Sequence, residues 1–424
     1  MMTFFYRIRH SVLFKNTFLY TSLQLVSKGI PFLLLPVLTR YLNTDDYGMI
    51  ATYNALVGVL VIFIGLSMSG AVGVNYFHLT KDELQSYIGN VFNILIVLTV
   101  AVSLVVELFK ELISVTFSMP VVWIYIAIAV AMAQTITMVN LTLWRSQQRA
   151  KPYVLYEISQ TFFNIGVTLL LVVGLNFGWE GRTSATASAA VVFGLLSVVI
   201  VYKRGYSRCN YSLQYIQDLL KFGVSLLPHQ IALWLRSGVD ILLITSIVGV
   251  AQAGLYSVGY TFGYVIGIFA AAFNNAYSPY LFEKLKHITD ESKREIVKFT
   301  YWYFVGILLF AISVSGVFML LLPYLLDERF QSANQYIIWI ALAYAFNGMY
   351  LMVVNYVLYV KKTHLISGIT ISMSLLHVVL SYFLIGYFGA MGAAYASIIS
   401  FFLTFILIWR LSNQVYEMPW KRLS

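Results

Sequence analysis

Residues Phe177–Ala185 read FGWEGRTSA, and 211 positions further on Phe388–Ala396 read FGAMGAAYA, in a chain of 424 residues. Both fit the frame F-G-x-x-G-x-x-x-A. The same offset carries Lys151 onto Lys362, and a slightly shorter one carries Tyr47-Gly48 onto Ala253-Gly254. An offset of about half the chain predicts two copies of one unit facing the same way, 1–208 and 209–424. Duplicated membrane units of this kind build carriers whose halves rock about a shared central site.

Composition says which medium those units occupy. Hydrophobic residues make up 60% of the chain, charged residues 10%, and the mean hydropathy is +0.80. A soluble domain of this length cannot present such a surface to water. Apolar runs long enough to cross a hydrocarbon layer, which takes ~20 residues for ~30 Å, lie near 15–39, 49–71, 89–109, 120–143, 153–175 and 182–202. A second set lies near 222–246, 253–281, 299–324, 334–360, 364–386 and 389–411. The reading is an all-α polytopic membrane protein with 12 transmembrane helices in two parallel six-helix lobes, which agrees with the repeat.

With a cytoplasmic N-terminus, the inner segments hold 21 of the 27 Lys and Arg, and the outer ones only Arg40, Lys110, Arg182 and Arg329. That bias predicts both termini inside. It also accounts for the net charge of +10 through anionic membrane lipids, with no nucleic acid. Lys28 in the middle of the first apolar run argues against a cleavable signal peptide. Cys209 is the single cysteine, so no intramolecular disulfide can form. The sequons Asn140-Leu141-Thr142 and Asn210-Tyr211-Ser212 fall in a span and an inner loop, out of reach of glycosylation. No phosphate-binding loop, paired-histidine metal spacing or nucleophile elbow occurs, and the loops are short. No enzyme, metal or cofactor is expected, and energy must come from a proton or sodium gradient, the substrate gradient or a partner.

An ionisable group in mid-membrane is costly unless it faces a cavity or a partner. Lys28 is central in the first span and shares a face with Gln24 and Thr21. It has no carboxylate at i±3 or i±4, which points to an anionic ligand or a carboxylate on another helix. Arg236 is central in the seventh span, with His229 one heptad before it and Asp240 four residues after. Arg236 and Asp240 either neutralise each other as an i, i+4 pair or line a cavity as a polar stripe. Arg182 enters the sixth span at the outer rim, as a ligand or a snorkelling residue. Glu157, in the fifth span, either carries a coupling proton or pairs with Arg145 or Arg149. His377 in the eleventh span is either a hydrogen-bonded interior residue or a proton relay. Pro31, Pro36 and Pro228 permit kinks. Gly259, Gly263 and Gly267 predict close helix packing. Trp123, Trp144, Trp179 and Trp302 read as interfacial belts, and Trp234 and Tyr256 as cavity aromatics able to stack on sugar rings.

The segment PFLLLPVLTRYLNTDDYGMIATYNAL, Pro31–Leu56, resembles the start of bacterial oligosaccharide flippases of the multidrug/oligosaccharidyl-lipid/polysaccharide exporter superfamily, through its L-P-x-L-T-R-x-L-x-x-x-x-Y-G pattern. FGVSLLPHQIALWLRSGVDILLI and AGLYSVGY resemble the second half of the same Wzx-type family. The resemblance implies a V-shaped, MATE-like pair of lobes in the bacterial cytoplasmic (inner) membrane. It implies an undecaprenyl-diphosphate-linked oligosaccharide as substrate, for O-antigen, capsule or exopolysaccharide synthesis, and other polysaccharide-assembly membrane proteins as partners. In that frame Lys28, Arg236, Arg182, Arg40, Gln24 and Trp234 are substrate-binding candidates. Asp240, Glu157 and His377 are ion-coupling candidates. A multidrug antiporter shares the architecture but calls for an acidic cavity, which the cations Lys28 and Arg236 disfavour.

Overall fold

The computed structural model describes residues 32, 34–208, 210–286 and 289–420. Lys28, Gln24, Thr21, Pro31 and most of the first expected span lie outside them. Among the described residues ten helices are long and apolar enough to cross a membrane, and a bent pair makes an eleventh. This is consistent with the twelve spans read from the sequence, and the protein is an all-α, multi-pass membrane protein.

Following a helical stretch at 34–41, the first half holds α1 (Thr44–Gly65), α2 (Met68–Asn75), α3 (Lys81–Phe117), α4 (Val121–Ser146), α5 (Ala150–Thr168, continued as a π-helix to Gly174) and α6 (Gly178–Lys203). Then come α7 (Leu213–Leu235), α8 (Val239–Ile247), α9 (Val250–Gly263), α10 (Val265–Lys286), α11 (Asp290–Leu325), α12 (Asn334–Tyr359), α13 (Thr363–Phe388) and α14 (Met391–Val415). Two compact units result, one ending at Ile231 and the other beginning at Ala232. The division falls inside α7 because its first turns are bound to the first unit. Tyr87 donates to Asp218 at 2.8 Å, and a Cβ on Gly223 would lie 2.4 Å from the Leu66 carbonyl.

Helices in the same order within each unit have the same surroundings. In the first unit α4 packs against α1, α2, α3 and α6; in the second α12 packs against α9, α10, α11 and α14. Their apolar stretches are 56% and 61% buried, against 22% for both α3 and α11. α4 and α12 are therefore the cores, and α3 and α11 turn Leu104, Leu108, Leu309 and Leu320 outward, where hydrocarbon is the favourable neighbour. Both long helices begin on a threonine cap: Thr80 accepts from the Glu83 N–H and Thr289 from the Ser292 N–H.

The duplicated frame is explained residue by residue. Its first glycines, Gly178 and Gly389, have φ of +57° and +60°, which a side chain would strain. Its second glycines let the starting helix touch the one before it: a Cβ on Gly392 would be 2.2 Å from the Leu384 carbonyl carbon, and one on Gly181 3.2 Å from Leu171. The closing Ala185 and Ala396 are fully buried. Gly259, Gly263 and Gly267 do what their spacing predicts, since Cβ atoms there would lie 2.5–2.8 Å from Ala333, Tyr336, Ile340 or Tyr344. In the segment LNTDDYG, Asn43 and Asp46 form a reciprocal capping box on α1. The other Asp46 oxygen accepts from the Trp179 N–H at 3.1 Å, so this carboxylate also anchors the start of α6.

Other expectations are corrected. Pro228 sits inside α7 and the helix runs on past it; the break comes after Leu235, with a bend of 48° before α8. The second span breaks at Leu66 and Ser67, both at positive φ. Lys110 is not in a loop, because α3 continues to Phe117. Trp123 and Trp144 are buried at 7% and 6% exposure, so only Trp302, at 68%, has the surface position of a belt residue among these three. Trp123 packs on Tyr53 and Trp179, and Trp144 on Tyr156.

Gly263→Val forces a branched side chain into Ile340 and should cost about 1–3 kcal/mol, lowering the thermal midpoint of the detergent-solubilised protein. Gly306→Ala, with nothing within 4 Å of the new methyl, should leave that midpoint unchanged or raise it.

Candidate functional site

The break between α7 and α8 gathers the polar chemistry of the second unit. The chain turns at Arg236, Ser237 and Gly238, whose N–H groups are satisfied by Leu233 and Trp234 carbonyls at 2.7–3.3 Å. Gly238 is required because a Cβ would fall 2.5 Å from the Trp234 indole nitrogen. The turn places Arg236 between helices and Asp240 in the first turn of α8, where unpaired N–H groups favour a negative charge.

Asp240 is 2% exposed and receives donors from three other helices. Ser381 of α13 donates to Oδ1 at 2.7 Å, and His377 Nε2 stands 3.1 Å from the same oxygen. Tyr256 of α9 and Ser397 of α14 approach Oδ2 at 3.4 and 3.5 Å. His377, 1% exposed, places Nδ1 3.1 Å from the Ser400 hydroxyl, which also lies 3.1 Å from the Ser397 carbonyl.

This geometry admits two fully bonded states. With a neutral imidazole, Nε2–H donates to Asp240 and the Ser400 hydroxyl donates to Nδ1. With a protonated imidazole, Nδ1–H donates to Ser400, whose own hydrogen turns to the Ser397 carbonyl. The hydrogen-bond pattern around Asp240 therefore accommodates either form of the imidazole.

Arg236 is held differently. Its guanidinium carbon lies 4.1 Å from the centre of the Phe401 ring, and Nη2 reaches the Thr404 hydroxyl at 3.4 Å. The Nε is buried with no hydrogen-bond partner. Tyr260, Tyr344 and Tyr350 lie within electrostatic reach, and the Tyr260 and Tyr344 hydroxyls bond to each other. Among the described residues Arg236 forms no ion pair, and every Asp and Glu of the chain is described. Arg236 and Asp240 are thus not the i, i+4 pair of a continuous helix, and the stripe from His229 through Arg236 is interrupted where α7 ends.

The remaining candidates stand apart. Arg182, in the first turn of α6, donates to Asn164 at 2.6 Å and Thr168 at 2.8 Å on α5, which makes it a tethered residue and not a snorkelling one. Glu157 accepts from the Tyr153 hydroxyl at 3.4 Å and makes no ion pair with Arg145 or Arg149. Arg40 is exposed. Trp234 is half-buried beside the turn. Tyr256 is 1% exposed, edge-on to Tyr336 and engaged with Asp240, so it has no free face for a sugar. Sequence reasoning missed Ser381, Ser397, Ser400 and Thr404. Their signal was present as Ser374, His377 and Ser381 on one face of α13, and Ser397, Ser400 and Thr404 on one face of α14.

Residues 13–285 match the family described as polysaccharide biosynthesis protein. Two Haemophilus influenzae proteins are similar along most of their length. One is described as an uncharacterized membrane protein, 27% identical over 374 residues, covering 86% of this chain and 88% of its own. The other is Lsg locus putative protein 1, 25% identical over 375 residues, covering 86% and 89%. Among solved structures, lipid II flippase MurJ in an inward closed conformation superposes with a TM-score of 0.71 at 14% identity, covering 95% of this chain and 88% of its own. An inward-facing multidrug resistance MATE family transporter of the MOP superfamily gives 0.64 at 15% identity, covering 93% and 94%. The fold is theirs.

His377→Leu strips the imidazole from a buried carboxylate and should cost about 3–5 kcal/mol. Asp240→Asn should cost less, and the double variant should recover at least ~1 kcal/mol relative to the sum. Reversible unfolding in mixed micelles measures all three.

Proposed function

The chain belongs to the polysaccharide biosynthesis protein family, and from that premise we propose that it flips an undecaprenyl-diphosphate-linked oligosaccharide from the inner to the outer leaflet of the bacterial cytoplasmic membrane. The mechanism is alternating access, and the product feeds surface polysaccharide assembly. A headgroup with two phosphates and several sugars cannot cross hydrocarbon unaided, while its polyprenyl tail can stay in lipid. The protein catalyses no covalent step in this reading and works with other polysaccharide-assembly membrane proteins. The positive-inside bias supports cytoplasmic termini in this reading.

The observation that carries the reading is Arg236: a guanidinium in a helix break, stacked on Phe401, with a buried unpartnered Nε and no carboxylate. A phosphate oxygen would satisfy that group, and Arg offers the fork geometry that phosphates fit. Lys28, Gln24, Arg182 and Arg40 are further candidate contacts for the same headgroup in this proposal. The Asp240–His377 pair carries the coupling proton. Glu157 has one neutral partner and a lesser claim to that role. The multidrug antiporter alternative draws on the MATE likeness, but it asks for a carboxylate open to a cationic drug. Asp240 is enclosed by Ser381, His377, Tyr256 and Ser397.

The test is transport into proteoliposomes of a labelled undecaprenyl-diphosphate oligosaccharide against a lipophilic cationic dye, with an imposed proton gradient. Wild type should move the sugar and not the dye. Arg236→Ala should slow sugar transport about tenfold or more, and Asp240→Asn should remove its dependence on the gradient. Dye transport alone would replace this proposal with the antiporter.

A further inference from the structure

Three turns of the first unit meet at one end of the bundle: the turn after α2, the one between α4 and α5, and the one after α6. Arg204 caps α6, and Gly205 at φ +66° folds the chain back so that the Tyr206 N–H bonds to the Val201 carbonyl at 3.0 Å. The Arg204 guanidinium is consequently sandwiched, 5.2 Å from the Tyr206 ring and 5.3 Å from the Trp144 ring. Gln147 and Asn140 accept from its edge. Arg149 is brought alongside by its N–H bond to the Trp144 carbonyl at 2.9 Å. The Tyr76 hydroxyl lies within electrostatic reach of both arginines and of Tyr206.

The half-buried Arg204 guanidinium thus has the like charge of the exposed Arg149 within electrostatic reach. Burial acts most against the charged form of Arg204 and the Arg149 charge adds to it, while the Tyr206 and Tyr76 phenols act the other way. No carboxylate relieves the two arginines: neither forms an ion pair among the described residues, and all 17 Asp and Glu of the chain are described. Arg204 is nevertheless fixed by two rings and two amides, none of them a counter-ion. The cluster lies where the apolar helices α4 and α6 end and α5 begins, and the ends of membrane-spanning helices are where lipid headgroups are met.

We propose that Arg149 and Arg204, with the Tyr76 and Tyr206 hydroxyls, form a binding site for the phosphate of a membrane lipid, separate from Arg236. The guanidiniums supply paired N–H donors to the phosphate oxygens and the phenols supply further donors. The lipid is either a bulk anionic phospholipid or a polyprenyl phosphate, which share this headgroup chemistry. The site does not depend on the transport proposal.

Native mass spectrometry of the full-length protein, titrated with phosphatidylglycerol and with phosphatidylcholine, tests it. Wild type should favour phosphatidylglycerol, and Arg149→Gln, at an exposed position that folding does not need, should weaken that preference about fivefold, from ~1 kcal/mol per arginine. Arg149→Gln combined with Arg204→Gln should abolish it. Displacement of phosphatidylglycerol by a polyprenyl phosphate would identify the carrier lipid as ligand, and failure to displace it a bulk phospholipid. Equal binding of the two phospholipids by wild type, or an unchanged preference in Arg149→Gln, would overturn the site. Competition by inorganic phosphate without any phospholipid preference would overturn its assignment to a lipid.

Discussion

A carboxylate enclosed in a membrane bundle has to find its donors on neighbouring helices, and Asp240 imposes that condition on the second unit. Its two oxygens draw on α9, α13 and α14 at once. Separating any of these helices from α8 strands a donor or the carboxylate itself, at a cost of several kcal/mol. Ser381 of α13 and Ser397 of α14 serve this carboxylate, while Thr370, Ser374, Ser400 and Thr404 on the same faces bond to carbonyls of their own helices. The network thus ties α8 to α9, α13 and α14 through a single carboxylate.

The break before α8 lets Asp240 be there. A continuous helix would put Arg236 and Asp240 on one face, free to neutralise each other. The bend of 48° sends the arginine towards Phe401 and Thr404, and the aspartate into the network. Backbone that leaves a helix within the membrane must still be hydrogen-bonded, and the tight turn onto Leu233 and Trp234 carbonyls meets that demand locally. The indole of Trp234 sets the turn's width and fixes Gly238 as its glycine.

Much of the fold was legible because its signals are local or periodic. Span positions follow from apolar runs, and the FG frame follows from a positive-φ glycine, a contact glycine and a buried alanine that recur for the same steric reasons in both units. The break in α7 was not legible. Pro228 was the visible breaker, yet the helix absorbs it, and the actual break depends on how Trp234 packs. Within the site, Arg236, Asp240 and His377 were visible as charges in apolar runs. Ser381, Ser397, Ser400 and Thr404 were not, since a hydroxyl in a membrane helix can bond to its own backbone, and only tertiary placement tells which one serves a neighbour. Trp123 and Trp144 misled for a related reason: a tryptophan near a span end packs inward when another ring is there to meet it.

The duplication constrains scaffold and chemistry unequally. α4 and α12, α3 and α11, and the two FG starts keep their burial and small residues, because a larger side chain at a helix contact meets backbone. The polar groups are under no such symmetry. In the first unit Arg182 of α6 bonds to Asn164 and Thr168 of α5; in the second the equivalent pair, α13 and α14, surrounds Asp240 with serines and a histidine. The second unit thereby holds, at the two ends of one short turn, a cation lacking a counter-ion and a carboxylate able to share a proton. Groups joined by so few bonds cannot move independently. In the transport mechanism proposed above, an anion held by Arg236 and a proton held beside Asp240 sit at the two ends of this turn, and if the turn couples them each alters the other's affinity by the same factor.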